Sequence, residues 1–198
     1  MKKKKKIIIA SGNKNKIKEI SYILSKLNLN TIPQSYYEIN SIQENRISFV
    51  ENAILKARYA SKIANLPALS DDSGLIIPKF HNEPGIYSSR YSHSNISNID
   101  RLIHFLNEKK ISYIYGFYYC VISMVFYEMD PLPIVVSGKM EGLIINKKKG
   151  SNGFGYDSCF FLNKYGLTVG EIDMIKKNKI SHRAKAIYKL KKVLNKIF

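Results

Sequence analysis

Hydrophobic residues recur along the chain with two different periods, and the period predicts where strands and helices lie. The short apolar run from Ile7 to Ala10 predicts a buried strand, which Ser11-Gly12-Asn13 ends. Apolar residues three or four apart then predict an amphipathic helix, and they are Ile17, Ile20, Ile23, Leu24 and Leu27. The chain is therefore expected to begin with a strand that leads into a helix.

The same helical spacing returns later in the chain. One helix is expected from about Ser48, because Ser48 and Glu51 have the spacing of a capping box, and its narrow inner face is Phe49, Ala53, Ala57, Ala60 and Ala64. A short helix is expected after Asp100, the predicted N-cap. The last helix is expected from about Ser181, with a buried side formed by Ala184, Ile187, Leu190, Leu194 and Ile197.

Extended segments fill the space between these helices. Residues 67–70 predict a strand that ends in an acidic turn at residues 71–74, after which residues 75–77 resume an extended run. Residues 112–127 and 134–145 are rich in β-branched and aromatic side chains and predict a long antiparallel hairpin. The order of elements predicts a mixed α/β fold, a twisted sheet with flanking helices.

Composition narrows the class of partner. The 198 residues fit one domain, here assigned to residues 7–198 after a basic N-terminal extension at residues 1–6. With 32 Lys and Arg against 15 Asp and Glu, the formal net charge is +17, which attracts anions. This charge favours phosphate-bearing partners but does not separate nucleotides from nucleic acid or an acidic membrane.

Cysteine usage and hydropathy point to the cytoplasm. Cys120 and Cys159 are far apart and lie in apolar stretches, so reduced thiols are expected. The longest apolar stretch, from Tyr113 to Tyr127, falls short of the roughly 20 residues that a spanning helix needs. The apolar run that follows the first lysines is too short for a signal peptide. A cytoplasmic protein without membrane association is therefore expected.

A candidate phosphate site lies where the first strand is expected to give way to a helix. Backbone amides and the positive end of the helix dipole favour an anion there, and the residues concerned are Ser11, Gly12, Asn13, Lys14, Asn15 and Lys16. Gly12 permits close approach of the backbone, and Lys16 offers a point charge to a phosphate oxygen. Taken alone, the hexapeptide is also compatible with an ordinary helix cap carrying solvated lysines.

Three further groups of residues have candidate chemistry. Asp71 and Asp72 suit a hard cation such as Mg²⁺, with Glu44 as a further ligand, although an ordinary Asp-Asp turn is an equal alternative. The glycine-rich loop at residues 150–157 offers Phe154 or Tyr156 to stack on a base and Asp157 to accept hydrogen bonds. The remaining group sits at the start of the last helix, where cations are unfavourable unless an anion compensates, and it consists of Lys177, Ser181, His182 and Arg183.

Six blocks of sequence, taken in order, closely resemble the inosine triphosphate pyrophosphatase family. They are Ser11-Gly12-Asn13-x-x-Lys16, Glu51-Asn52-Ala53-x-x-Lys56-Ala57, Asp71-Asp72-Ser73-Gly74-Leu75, Pro84-Gly85-Ile86-Tyr87-Ser88-Ser89-Arg90-Tyr91, Gly153-Phe154-Gly155-Tyr156-Asp157 and Ile180-Ser181-His182-Arg183. The resemblance extends from residue 7 to about residue 190. It implies hydrolysis of ITP, dITP and XTP to the nucleoside monophosphate and pyrophosphate, in an elongated two-lobed fold with a central cleft, commonly a homodimer.

The resemblance also implies roles for individual residues. Ser11 to Lys16 would hold the triphosphate with help from Lys56, and Ser73 would contact the substrate. Asp72 would coordinate Mg²⁺ and accept a proton, with Lys16 as its catalytic partner at the phosphates. The base would be framed by Phe154, Gly155, Tyr156, Asp157, Lys177, His182 and Arg183.

Two positions depart from the family pattern. Many relatives have two adjacent glutamates before Thr-Gly, where this chain has Gln43-Glu44-Asn45-Arg46, so Glu44 is assigned as the second metal carboxylate by proximity. Ser11 replaces a frequent Thr and keeps its hydroxyl. The rival interpretation is a basic nucleic-acid-binding module, motivated by the net charge and the tyrosines between residues 113 and 119. Those tyrosines lack the basic lead residue of an RNA-recognition strand, so nucleic acid is not a required partner.

Overall fold

The computed structural model describes residues 5–25, 29–92 and 95–197. Within these ranges the helices are α1 (Lys14–Leu24), α2 (Phe49–Ala64), α3 (Asn98–Glu108), α4 (Met174–Ile180) and α5 (His182–Ile197). The strands are β1 (Lys5–Ile9), β2 (Leu29–Pro33), β3 (Ala68–Ile76), β4 (Tyr113–Val125), β5 (Ile134–Ile145), β6 (Phe160–Leu162) and β7 (Leu167–Thr168). Among the described residues, no helix has both the length and the apolar character to cross a membrane.

One mixed sheet connects these strands in the order β2-β1-β3-β4-β5-β6-β7. Strand β1 pairs in parallel with β2 and with β3, whereas β6 pairs antiparallel with β5 and with β7. Strands β4 and β5, predicted as a hairpin, are consecutive in the chain and adjacent in the sheet. The α/β class with flanking helices is therefore confirmed.

The chain forms two compact units, and each is assembled from separate segments. Unit 1 comprises residues 1–72, 120–138 and 182–198, and unit 2 comprises residues 73–119 and 139–181. Strands β3, β4 and β5 contribute residues to both units. The elongated shape and the central cleft that the family resemblance implies stay predictions.

In unit 1, alternation along β1 gives the sheet two buried faces. Ile7 and Ile9 pack in one core cluster with residues of α1 and α5, whereas Ile8 and Ala10 belong to another cluster with Ala60 of α2. Successive side chains of a strand point to opposite faces of the sheet, so α1 and α5 cover one face and α2 covers the other. The small residues of α2 form its buried side, as predicted.

Unit 2 has its own core around the remaining parts of β3, β4 and β5. Leu75, Leu102 and Phe160 are almost fully buried in one cluster, to which α3, β6 and the short 3₁₀ helix Val169–Glu171 also contribute. Phe160 packs against the Tyr118 ring, with ring centroids 4.7 Å apart. This core supports the glycine-rich loop of residues 150–157.

Several boundaries differ from the sequence prediction. The expected acidic turn is wrong, because residues 71–74 lie inside the continuous strand β3. The N-cap of α3 is Ser97, whose side chain accepts from the Asp100 amide, so Asp100 lies in the first turn. Strand β1 begins at Lys5, two residues before the predicted start of the strand at Ile7. Residues 1–4 of the predicted N-terminal extension and Leu27 lie outside the described residues.

Candidate active site

Strand β3 places its two aspartates on opposite faces of the sheet in unit 1. Ser70, two residues before Asp72, donates its hydroxyl to the Ala53 carbonyl of α2 at 2.5 Å, so Ser70 and Asp72 share the α2 side. Leu69 packs with the α1 and α5 cluster, and Asp71 shares that side. The interpretation of Asp71 and Asp72 as neighbouring ligands of one cation is therefore wrong.

On the α1 and α5 side, one buried oxygen receives two cationic side chains. Asp71 Oδ2 accepts from Arg183 Nη2 at 3.1 Å and from Arg183 Nε at 3.3 Å, and Lys16 Nζ lies 3.2 Å from the same oxygen. Arg183 Nη1 also donates to Glu19 Oε2. Lys16, Glu19, Asp71 and Arg183 therefore form a network with two positive and two negative charges.

The network shifts the pKa values of its members. Burial alone would raise the pKa of Asp71, but the charges of Lys16, Arg183 and Lys56 outweigh it and hold that pKa well below its usual range. Burial alone would lower the pKa of Arg183, but Asp71 and Glu19 outweigh it and raise that pKa. Both groups are therefore charged throughout the neutral range.

On the α2 side, Lys56 connects the two carboxylates that were assigned to a metal. Its Nζ lies 2.7 Å from Glu44 Oε1 and 3.1 Å from Asp72 Oδ1, and it donates to the Asp71 carbonyl at 2.7 Å. Asp72 Oδ2 is buried and has no hydrogen-bond partner among the described residues. The structure therefore brings Glu44 and Asp72 close together, as the sequence predicted, with Lys56 between them.

The environment of Asp72 differs from that of Asp71 in its effect on the carboxyl pKa. Burial raises the pKa of Asp72, and this effect prevails although the Lys56 charge opposes it. Burial lowers the pKa of Lys56, but Asp72, Asp71 and Glu44 outweigh it and raise that pKa. Asp72 is therefore a carboxylate with more affinity for a proton than an ordinary aspartate, which is a property expected of a general base.

The predicted phosphate loop leads directly from β1 into α1. Asn13 is the N-cap, and its Oδ1 accepts from the amides of Asn15 at 3.0 Å and Lys16 at 3.2 Å. These two amides are therefore satisfied by an asparagine helix cap, the alternative that the hexapeptide left open in the sequence. Lys14 and Asn15 are exposed, as is Gly12, and a Cβ on Gly12 would stand only 2.9 Å from Ser41 Oγ.

The donor set at Glu44 and Asp72 fits a hard divalent cation in part. Two carboxylates within hydrogen-bonding distance of one ammonium, together with the partnerless Asp72 Oδ2, supply oxygen ligands of the kind that Mg²⁺ takes alongside several waters. Within the described ranges there is no group of three or more His, Cys, Asp or Glu side chains that could hold a metal. A cation there would therefore depend on these two carboxylates, water and substrate.

In unit 2, the glycine-rich loop is fixed by one aspartate. Asp157 Oδ2 accepts from the Phe154 amide at 2.8 Å and from Lys177 Nζ at 2.7 Å. Gly153 has φ +79°, and a Cβ there would stand 2.1 Å from Asp157 Oδ2, so only glycine fits. Lys177 Nζ also lies 4.5 Å from the centre of the Phe154 ring. Phe154, Asp157 and Lys177 are therefore brought together, as predicted.

The other expected base-binding residues have different surroundings. Tyr156 is buried in the core of unit 2 and donates its hydroxyl to the Ser88 carbonyl at 2.9 Å, so its ring is not available for stacking, and Phe154 is the half-buried aromatic of this loop. Lys177 lies in α4, not at the start of the last helix. His182 and Arg183 begin α5 in unit 1, and both are buried. The place of Arg183 beside a base stays a prediction, whereas its contact with Asp71 is observed.

Comparison with known proteins finds similarity along almost the whole chain. The family model described as the Ham1 family matches residues 7–193. The chain is 42% identical over 193 residues to a dITP/XTP pyrophosphatase of Legionella pneumophila (strain Lens), covering 96% of this chain and 98% of that protein. The chain belongs to the Ham1 family. A dITP/XTP pyrophosphatase of Wigglesworthia glossinidia brevipalpis is 47% identical over 194 residues, covering 96% of this chain and 97% of that protein.

The fold agrees with that of a solved Ham1 protein. The structure of a HAM1 protein from Coxiella burnetii matches this chain with a TM-score of 0.88 at 39% identity, covering 97% of this chain and 99% of that one. The similarity extends over almost the whole of both chains. The described elements of this Ham1 chain therefore form the mixed α/β fold of that solved family member.

The sequence analysis missed one residue of the network in unit 1, Glu19, and gave another, Asp71, a different role. Glu19 lies three positions after Lys16 and next to Ile20 on the buried stripe of α1. A charged residue on such a stripe signals a buried partner, because an unpaired charge there is costly. Asp71 was predicted as a cation ligand beside Asp72 in an acidic turn, not as the partner of Lys16 and Arg183. The alternation from Ala68 to Asp72 would have separated it from Asp72 if a continuous strand had been assumed.

Proposed function

We propose that this Ham1-family chain hydrolyses ITP, dITP and XTP to the nucleoside monophosphate and pyrophosphate, and so removes these nucleotides from the cellular pool. The observation that carries the proposal is the environment of the buried Asp72. Its Oδ1 forms an ion pair with Lys56, and its Oδ2 has no hydrogen-bond partner among the described residues. The relatives are named dITP/XTP pyrophosphatases, which supports this substrate class.

The phosphate end of the substrate is proposed to bind in unit 1. Lys16 would neutralise charge on the β and γ phosphates, and Lys56 would add a second positive charge close to the scissile bond. The N-terminus of α1, with Ser11, Gly12, Asn13, Lys14 and Asn15, would offer amides and polar side chains once Asn13 Oδ1 exchanges its place for a phosphate oxygen. Stabilising the departing pyrophosphate in this way lowers the barrier, because phosphoryl transfer depends mainly on positioning and charge neutralisation.

Asp72 is proposed to accept the proton of the attacking water. Lys56 holds Oδ1 at 3.1 Å, so Oδ2 is the oxygen left for the water. Burial raises the pKa of Asp72 and makes it a better proton acceptor than an ordinary aspartate. Attack at the α phosphorus would then release pyrophosphate and leave the monophosphate.

Glu44 and Asp72 are proposed to hold Mg²⁺ when substrate is bound. The cation would supply charge neutralisation on the phosphate oxygens and a lower pKa for a coordinated water. Lys56 lies between the same two carboxylates and balances part of their charge.

The base is proposed to bind against the glycine-rich loop. The Phe154 ring, held by Lys177 and Asp157, would stack on the purine. Backbone donors near Gly155 and Tyr156, with His182 and Arg183, would face the 6-oxo group, and Ser73 would contact the substrate after Asp72. A 6-oxo purine presents an acceptor where adenine presents an amino donor. ATP would then leave donors facing a donor and be hydrolysed far more slowly.

Assembly and location are part of the same proposal. A homodimer is proposed from the family resemblance. A cytoplasmic location is proposed from the two buried free cysteines, Cys120 and Cys159. Nucleic acid is not required for the reaction. The rival function, a nucleic-acid-binding module, predicts salt-dependent binding of single-stranded RNA without nucleotide hydrolysis.

A panel of nucleotides tests the proposal. Pyrophosphate release from ITP, dITP, XTP, GTP and ATP is measured with the purified full chain, with Mg²⁺ and with a chelator. Release from the first three in the presence of Mg²⁺, with kcat/KM at least about 100-fold above that for ATP, supports the proposal. Equal efficiency with ATP and ITP would exclude the proposed base recognition, and tight RNA binding without any pyrophosphate release would favour the rival function.

A further inference from the structure

Asp71 contacts three of the residues proposed to bind substrate, although the reaction assigns it no role. Its carboxylate oxygen Oδ2 forms ion pairs with Lys16 and Arg183, and its main-chain carbonyl accepts a hydrogen bond from Lys56. We propose that Asp71 is a positioning residue, which holds the Lys16 ammonium at the place where the triphosphate binds. This inference rests on the proposed function for the role of Lys16.

Burial shows which partner of Asp71 can move. The side chains of Asp71 and Arg183 are 0% and 2% exposed, whereas that of Lys16 is 18% exposed. Arg183 is held from two sides, by Asp71 and by Glu19. Lys16 is the member of the network that reaches the surface of unit 1, and its ion pair with Asp71 is therefore the contact that fixes its position.

The charge balance predicts what happens when Asp71 is neutralised. Lys16, Arg183, Glu19 and Asp71 together carry no net charge. In Asp71→Asn one negative charge is lost, and two cations are left around a neutral amide whose oxygen is a weaker acceptor. Like charges repel, and little solvent is present to screen them. Lys16 is the more exposed cation, so it moves outward while Arg183 stays with Glu19.

The proposed positioning role has different consequences for kcat and for KM. Neutralising Asp71 makes the phosphate side more positive, so binding of the triphosphate is not weakened. The displaced Lys16 no longer meets the leaving pyrophosphate in the correct geometry, and a misplacement of about 1 Å can cost roughly 100-fold in rate. Asp71→Asn is therefore expected to lower kcat for ITP by roughly 10- to 100-fold, with KM unchanged or lower. A merely structural role would raise KM or reduce the fraction of folded protein instead.

A double-mutant cycle tests whether Asp71 acts through Lys16. The variants are Asp71→Asn, Lys16→Met and the double variant, with steady-state kinetics on ITP. Because the two residues act as a unit, the double variant is expected to lose no more kcat than Lys16→Met alone. Losses that multiply would overturn the proposal. The matched control is Asp130→Asn, which removes another buried aspartate of unit 1 that bonds the amides of Phe126 and Leu132 and is expected to leave kcat and KM unchanged.

A conservative variant keeps the test valid if Asp71→Asn folds poorly. Asp71→Glu keeps the four charges but moves the carboxylate by one carbon–carbon bond. An intermediate kcat, with KM unchanged, supports a positioning role. Full activity of Asp71→Glu would overturn it, because a role in charge balance alone would be satisfied.

Binding of inorganic tripolyphosphate supplies a measurement that does not depend on hydrolysis. By calorimetry at 0.15 M salt, Lys16→Met is expected to weaken binding by about tenfold in the otherwise unchanged chain and by less than about threefold in the Asp71→Asn background. Equal losses in both backgrounds would overturn the positioning role. If the coupling is present while the unchanged chain hydrolyses no ITP, the proposed function fails and the positioning of Lys16 by Asp71 stands.

Discussion

Unit 1 contains a charged cluster, which consists of Lys16, Glu19, Glu44, Lys56, Asp71, Asp72 and Arg183. This cluster and the glycine-rich loop of unit 2 hold their ionic groups in different ways. In the cluster, Asp71 pairs with both Lys16 and Arg183. Lys56 pairs with both Asp72 and Glu44, so each of these ion pairs shares a charged group with another. In the loop, Asp157 Oδ2 pairs with Lys177 and also accepts a hydrogen bond from the Phe154 amide. A change in the cluster therefore alters the charge of a whole site, whereas a change in the loop alters the placement of one ring.

The proposed function assigns different parts of the substrate to the two regions. The cluster has the charges that phosphate chemistry needs, and the loop has the aromatic surface and rigid backbone that base recognition needs. Substitutions in the two regions should therefore differ in which part of the substrate they affect. The following predictions test that division, beginning with the largest expected effect.

Asp72→Asn is expected to lower kcat for ITP by roughly 100-fold or more, because an amide cannot accept the proton of the attacking water. The measurement is steady-state release of pyrophosphate, with Asp130→Asn as the matched variant at a buried aspartate outside the cluster. Near-normal turnover of Asp72→Asn would remove this residue from the mechanism.

Asp157→Asn is expected to lower kcat/KM for ITP by about tenfold, because the charge-assisted bond to Lys177 contributes roughly 1.5 to 3 kcal/mol. The lost support lets the Phe154 backbone and ring shift. Binding of tripolyphosphate should not change, since it has no base. A loss of tripolyphosphate binding as large as the loss with ITP would contradict the separation of the two regions.

Phe154→Leu is expected to raise KM for ITP by about fivefold and to leave kcat nearly unchanged, because stacking of a base on an aromatic ring contributes roughly 1 to 3 kcal/mol and leucine keeps part of the contact. Tyr165→Leu is the control, since Tyr165 is another aromatic of unit 2 beneath a lysine, with Lys176 Nζ at 4.2 Å from its ring centre. Equal effects of the two substitutions would remove Phe154 from the base site.

The smallest effect concerns stability in acid. The pKa of Asp71 is lowered in the folded protein, so its contribution to stability is present above the unfolded value near 3.8 and is lost as the pH falls further toward the folded value. Denaturant unfolding without metal, measured across this window, should show a shallower loss of stability with acid in Asp71→Asn than in the unchanged chain. Parallel profiles for the two proteins would contradict the pKa assigned to Asp71.

Sequence patterns predicted most of the fold because its elements are locally encoded. The stripe of α1, the small residues of α2 and the β-branched run of β4 each repeat the period of the structure that they form. The central part of β3 was misassigned, because Asp-Asp-Ser-Gly has the composition of a turn. Its extended backbone depends on neighbouring strands and on partners such as Lys56, which no local pattern reveals.

The candidate site was predictable to the extent that its residues form motifs. Glu44 and Asp72, which share Lys56, come together as expected, and so do Lys177 and Asp157. The link between Asp71 and Arg183 joins residues 112 positions apart, and long-range ion pairs leave no periodic trace in a sequence. Glu19 is an exception, because a charged residue on a buried helical stripe indicates that an ionic partner exists, although it does not identify that partner.

The most direct test of the central claim is to identify which phosphoanhydride bond is broken and which phosphorus atom the water attacks. ITP is hydrolysed in water enriched in ¹⁸O, and the label is located in the products by mass spectrometry. Attack at the α phosphorus, with Asp72 accepting the proton of the water, predicts ¹⁸O in the inosine monophosphate and unlabelled pyrophosphate. Label in pyrophosphate, or release of inorganic phosphate with inosine diphosphate, would contradict the proposed chemistry.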